Sequence, residues 1–86
     1  MKRFRVACLG AGYFAQFHLD AWQRAPQAEL VAVADQDKKK AERAGVAPFT
    51  SLPEMLAATP PDILDIILPP DQQAEAIRTV LGSDLK

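Results

Sequence analysis

At 86 residues the chain has room for one domain, and a chain of this size buries only somewhat more than ~60% of its unfolded surface, so its stability margin is small. A composition of 49% hydrophobic and 24% charged residues excludes a disordered chain. Ten basic against eleven acidic residues, a net charge of -1, argue against the basic stripe of a nucleic-acid binder, and no run approaches the ~20 apolar residues of a membrane span.

At the N-terminus, Lys2, Arg3 and Arg5 precede an apolar stretch from Val6 to Phe14. Gly10 and Gly12 interrupt it, and Gln16, His18 and Asp20 follow without a small-residue cleavage site, so it does not read as a secretory signal. Cys8 is the single cysteine and can form no internal disulfide, which makes the reducing cytoplasm the expected compartment. Phe4 to Leu9 is a short apolar run ending at Gly10, as in a strand buried on both faces. From Ala15 the period changes: Ala15, His18, Leu19 and Trp22 form one helical stripe, closed by Pro26. Leu30 to Ala34 is a second apolar strand, ended by Asp35.

Asp37 can cap a short helix through Lys38 to Ala44, with Gly45 as its stop. Pro48, Phe49 and Thr50 leave room for a brief third strand. Ser51 and Glu54 form a capping-box pattern ahead of Leu52, Met55 and Leu56, and Thr59-Pro60-Pro61 breaks that helix. Ile63 to Leu68 is a fourth apolar strand stopped by Pro69-Pro70. The last helix is predicted from about Asp71, with Ala74, Ile77 and Leu81 as its apolar stripe and Gly82 as its stop. Strands alternating with helices imply right-handed crossovers and a parallel sheet. The expected fold is α/β, a Rossmann-type doubly wound sheet in the order 3-2-1-4. The whole of 1–86 reads as one dinucleotide-binding domain, cut before the fifth strand that the fold calls for after Lys86, which leaves the fourth strand as an open edge.

Gly10-Ala11-Gly12-Tyr13-Phe14-Ala15 matches the G-x-G-x-x-[GA] fingerprint between a strand and a helix. Gly10 permits the tight turn, Gly12 lets the backbone approach a pyrophosphate, and Ala15 lets the helix pack closely on the strand. Helix N-terminal amides then meet the phosphate charge. Asp35 ends the second strand, close to the ~20-residue offset at which an acid accepts from the adenosine ribose hydroxyls and repels a 2′-phosphate. NAD is therefore favoured over NADP, although Lys38, Lys39 and Lys40 offer a basic cluster that could hold a 2′-phosphate. Leu68-Pro69-Pro70 should face the glycine loop across the switch point between strands one and four. The expected cofactor-binding residues are thus Gly10, Gly12, Tyr13, Phe14, Ala15, Asp35, Leu68, Pro69 and Pro70. His18, on the inner stripe of its helix, is expected to be packed or hydrogen-bonded, Trp22 to pack helix on sheet, and Cys8 to be inert. Asp65, an acid inside an apolar strand, points to an edge or a partner. No metal-ligand cluster, P-loop or nucleophile elbow is present, and no residue is assigned a catalytic role.

The stretches VACLGAGYFAQFHLDAW, ELVAVADQD, TSLPEMLA and DILDIILPPDQQAEAI resemble the N-terminal domain of the glucose-fructose oxidoreductase/inositol dehydrogenase (Gfo/Idh/MocA) family over nearly the whole chain. His18 and Ala21 complete a pattern similar to that family's G-x-G-x-x-[GA]-x-x-H-x-x-A, and Asp65 matches an acid often found in this strand. The resemblance implies an NAD(P)-dependent dehydrogenase of a sugar, cyclitol or related hydroxyl compound. It also implies a second α/β domain used for substrate binding and homo-oligomer assembly. Where the family commonly has Thr-Pro-Pro-x-x-His, this chain has Leu68 and Gln73 in place of the threonine and histidine. The family's Glu-Lys-Pro motif, whose lysine works at the substrate hydroxyl, is not in this sequence. The chain alone is therefore expected to bind cofactor without turnover; the alternative is a non-catalytic dinucleotide-binding sensor or scaffold.

Overall fold

Strands and helices alternate through the chain, and all strand pairs are parallel. A computed structural model describes residues 3–82; Met1, Lys2 and the last four residues, where the sequence places the break before a fifth strand, lie outside the described residues. The order is β1 (Phe4–Leu9), α1 (Ala15–Arg24), β2 (Ala28–Ala34), α2 (Lys38–Glu42), β3 (Ala47–Phe49), α3 (Leu52–Ala58), β4 (Ile63–Ile66) and α4 (Pro70–Leu81). The sheet runs β3-β2-β1-β4, the doubly wound order expected, with β3 and β4 at its edges. Pro48, which cannot donate to a ladder, is tolerated in β3 because, among the described residues, that strand pairs only with β2.

Helices cover both faces of the sheet. On one face Val6, Cys8, Leu30 and Val33 pack under Leu19 and Trp22 of α1, with Ala44 and Val46 beyond α2. On the other, the small residues Ala7, Ala32 and Ala34 receive the larger Leu52, Met55 and Leu56 of α3, with Ala76 of α4. Large side chains from the helices filling space left by alanines in the strands is how a thin sheet reaches interior packing density. The ladder between β1 and β2 slips at Val6/Ala7, where Val6 pairs with Leu30 and Ala7 with Ala32. Val31 is the extra residue of this bulge, and it therefore joins Ala32 on the α3 face instead of alternating.

The predicted caps form. The Asp37 side chain accepts from the Lys39 amide at 3.0 Å, and the Ser51 hydroxyl accepts from the Glu54 amide at 3.4 Å. Helix α2 ends at Glu42 instead of Ala44, because Ala44 and Gly45 bond back only three residues, to Ala41 and Glu42, before Gly45 turns the chain at a φ of 77°. Strand β2 starts two residues earlier than the apolar run, at Ala28. Strand β4 stops at Ile66 because β1 runs out: the Ile67 amide takes the Leu9 carbonyl, the last oxygen of β1.

One expectation is corrected. The stripe Ala74, Ile77 and Leu81 of α4 faces outward, with Ile77 47% and Leu81 65% exposed. The inward positions are Gln73, Ala76 and Val80. Gln73 hides this stripe from a hydropathy reading, yet its amide donates to the Leu68 carbonyl at 2.8 Å and so satisfies both groups at the start of the helix.

Candidate functional site

At the C-terminal ends of β1 and β2, the chain leaves a cavity of about 350 Å³ whose walls include Gly10, Asp35, Leu68, Gln72, Glu75 and Thr79. Gly10 fixes its rear wall. Its φ is 108°, where a side chain is strained, and a Cβ there would collide with the carbonyl of Ile67. The Gly10 amide also donates to the Ala34 carbonyl at 2.7 Å, which ties the loop to β2. Gly12 is different: its φ is not positive, and a Cβ built on it meets nothing within 4 Å. The fold itself does not need glycine there, and the space beside that backbone is open.

The glycine loop runs into α1, whose N-cap, Phe14, provides no side-chain hydrogen bond, and whose first turn holds no acidic residue. No side chain caps that helix start; the Gln16 and Phe17 amides bond back to the Tyr13 and Phe14 carbonyls at 3.3 and 3.2 Å. Ala15 is 1% exposed, as close packing of α1 on the sheet requires. Tyr13 and Phe14 are exposed and meet edge-to-face at a centroid distance of 5.6 Å; Phe17 joins Tyr13 at 5.8 Å.

Asp35 sits in the cavity wall just after β2. Its Oδ2 accepts from the Ala11 amide at 2.8 Å and its Oδ1 accepts from the Asp37 amide at 2.8 Å. Each oxygen has a second lone pair, so the carboxylate can still accept from a ligand in the cavity. Among the described residues the lining carries two carboxylates, Asp35 and Glu75, and no His, Cys, Lys or Tyr. Among the described residues no group of three metal-binding side chains occurs.

The structure thus brings Gly10, Asp35 and Leu68 into one cavity. Gly12, Tyr13, Phe14 and Ala15 belong to the loop and helix start beside it, and Pro69 and Pro70 are exposed at the start of α4, outside the lining. Lys38, Lys39 and Lys40 are exposed on α2 and do not line the cavity; Gln36 does. Sequence reading missed Gln72, Glu75 and Thr79. Their signal was present, since they fall at i, i+3 and i+7 and form a polar stripe directly after the double proline.

Asp65 is accounted for by a second cluster, on the α1 face of β4. Its Oδ2 lies 2.9 Å from His18 Nδ1 and accepts from the Trp22 indole N–H at 2.9 Å. Burial, and next the negative charge of Asp65, push the adjacent Cys8 thiol up to about 12, so it stays a protonated packing group. No helix among the described residues is long and apolar enough to cross a membrane.

Residues 4–85 match the Gfo/Idh/MocA family, described as an oxidoreductase family with an NAD-binding Rossmann fold. The D-apiose dehydrogenase of Paraburkholderia graminis is 37% identical over 71 residues, which cover 77% of this chain and 19% of that protein. The crystal structure of the WlbA dehydrogenase from Bordetella pertussis, in complex with NADH and UDP-GlcNAcA, superposes with a TM-score of 0.81 at 29% identity, covering 93% of this chain and 26% of that one. GenD2 from gentamicin A biosynthesis, in complex with NAD, gives a TM-score of 0.86 over 95% of this chain and 25% of its own; at 22% identity this likeness speaks for the fold alone. The chain therefore spans about a fifth to a quarter of the length of these proteins. The glycine loop, the acid after the second strand and the 3-2-1-4 sheet agree with the match over residues 4–85: the chain belongs to the Gfo/Idh/MocA oxidoreductase family, in the part that forms the NAD-binding Rossmann fold.

Proposed function

We propose that the cavity receives the adenosine half of NAD and that the glycine loop receives its pyrophosphate. The carrying observation is Asp35, which lines the cavity and whose carboxylate oxygens, each bound to one backbone amide, keep a lone pair each. Neighbouring ribose 2′- and 3′-hydroxyls are donors suited to such a pair, whereas a 2′-phosphate would meet like charge and no cationic side chain in the lining. The volume of about 350 Å³ suits a nucleoside-sized group. Gly12 and the start of α1, which no side chain caps, would take the pyrophosphate, with Gly10 and Ala15 fixing the loop and helix that present those amides. Tyr13, Phe14, Leu68, Pro69 and Pro70 would border the path toward the nicotinamide.

Bound NAD supplies hydride transfer; the protein's tasks are to place the ring and to handle the substrate proton. This chain is suited to the first task only, because Leu68, Pro69 and Pro70, on the path toward the nicotinamide, carry no acid–base group. We therefore read it as a single cofactor-binding domain, silent in turnover by itself, of a cytoplasmic dehydrogenase that acts on a sugar, cyclitol or related hydroxyl compound. The substrate class follows the names of the relatives, and substrate binding and homo-oligomer assembly would belong to a second domain. A non-catalytic nucleotide sensor is the second reading, favoured by Gln73, which spends its amide on the Leu68 carbonyl.

Calorimetric titration of NAD and NADP into the folded chain tests the cofactor reading. NAD should bind more tightly than NADP, and Asp35→Ala should weaken NAD by about 10- to 100-fold, the worth of a charged hydrogen bond. Equal affinity for both cofactors, or none for either in a chain shown to be folded by circular dichroism, would overturn it.

A further inference from the structure

The hydrogen bonds of Asp35 give it a task beyond the ribose. Resting on the cofactor reading above, we infer that Asp35 is also a positioning residue for the phosphate end of the site, because its carboxylate holds the glycine loop in place before any nucleotide arrives. Oδ2 takes the amide of Ala11, the residue between the two fingerprint glycines, from 24 positions away in the chain. Oδ1 takes the amide of Asp37, which caps α2. One rigid group therefore joins the first crossover to the start of the second. The Gly10 amide is bound to the Ala34 carbonyl, immediately before Asp35, so consecutive loop amides are both tied to the end of β2. Gly12, the next residue, faces open space and gains no comparable side-chain anchor from its own helix, whose N-cap is Phe14. The placement of its backbone follows from that of Ala11.

This double bond pattern makes a distinction between substitutions. Asn in place of Asp35 keeps one oxygen, which can still accept from the Ala11 amide with its NH₂ turned toward Asp37, whereas Ala removes both bonds. Toward ribose hydroxyls, which both donate and accept, Asn remains a competent partner. If Asp35 acts on ribose alone, its removal leaves the binding of a ligand without ribose hydroxyls unchanged; if it acts through the loop, its removal weakens that ligand too.

The test uses ADP and 2′,3′-dideoxy-ADP, which share adenine and pyrophosphate and differ only in the ribose hydroxyls. Binding of each is measured by calorimetry to the wild-type chain, Asp35→Asn and Asp35→Ala, with Asp37→Ala as a control that removes a side-chain cap but leaves both loop bonds in place. Asp35→Ala, which removes both bonds, should weaken dideoxy-ADP by about tenfold, as expected for the loss of a charge-assisted hydrogen bond acting through the loop, Asp35→Asn should weaken it less, and Asp37→Ala should not. Should the loss vanish with the dideoxy ligand, Asp35 acts on ribose only and the inference fails, while the cofactor reading stands. Should wild-type protein bind neither ligand, the cofactor reading itself fails. Hydrogen exchange on the nucleotide-free wild-type chain decides the same point without any variant: the Ala11 amide should be protected relative to that of Gly12, and equal, rapid exchange of both would overturn the positioning role.

Discussion

Asp35 and Asp65 stand on opposite sides of β1, and each accepts two hydrogen bonds, but from different kinds of donor. Asp35 receives two backbone amides, one on each oxygen, at the rim of a cavity. Asp65 receives two side chains of α1, both on Oδ2, in the seam between that helix and β4. A carboxylate bound by amides shapes loops and keeps lone pairs for a ligand. One bound by His18 and Trp22 fastens a helix to an edge strand that has a neighbour on one side only among the described residues. The comparison separates binding from stability within one small sheet, and substitutions can test whether the separation is real.

The largest effect is expected where the two regions meet. Gly10→Val would force a side chain onto the Ile67 carbonyl at a positive φ, adding strain to overpacking, for a loss of about 4 kcal/mol in urea unfolding. A loss under about 1 kcal/mol, the scale of an ordinary surface change, would mean that β1 and β4 part easily and that the regions are not coupled through this contact.

Asp65→Ala strands the part-buried Trp22 indole N–H and releases the exposed His18 ring, and should cost about 2 kcal/mol in stability while leaving ADP affinity unchanged. Asp35→Ala should show the opposite pattern. If the Asp65 variant lost nucleotide affinity in proportion to its stability, the two carboxylates would form one functional unit.

Cys8 offers a finer probe of the seam. Its thiol is raised from 9.0 to about 12 in the fold, so between those values the unfolded chain has given up a proton that the folded chain keeps. Stability should therefore fall as pH rises, approaching about 1.4 kcal/mol per pH unit from this group. Cys8→Ala should flatten that slope relative to wild type in parallel denaturation series; identical slopes would show that the thiol is not held protonated.

The smallest effect is expected from replacing Lys38, Lys39 and Lys40 by Gln. These exposed side chains lie outside the cavity lining, so the preference for NAD over NADP should not move. A selective loss of NADP affinity in paired titrations would show that the basic cluster reaches a 2′-phosphate.

The legibility of the site differed between its parts. Gly10, Gly12, Ala15 and Asp35 could be found because each sits at a fixed offset from a strand end, the offset that the dinucleotide fingerprint prescribes. Gln72, Glu75 and Thr79 escaped because a polar helical stripe is what any solvated face shows, and only the cavity distinguishes it. The face of α4 was misread for the converse reason. Gln73 interrupts the true inner stripe, while Ile77 and Leu81 form a cleaner apolar pattern that the fold leaves outside.

What the sequence determined by itself is the order and type of the elements and the glycine turn between the first strand and helix. Those follow from periodicity, capping and backbone preference, which act within a few residues. Tertiary structure decided the rest: the bulge that turns Val31 toward α3, the two amides on Asp35, and the capture of Asp65 by His18 and Trp22 across more than forty positions of chain. A hydrogen bond between distant residues exists only once parallel crossovers bring strand ends together, and no local propensity encodes which groups then meet.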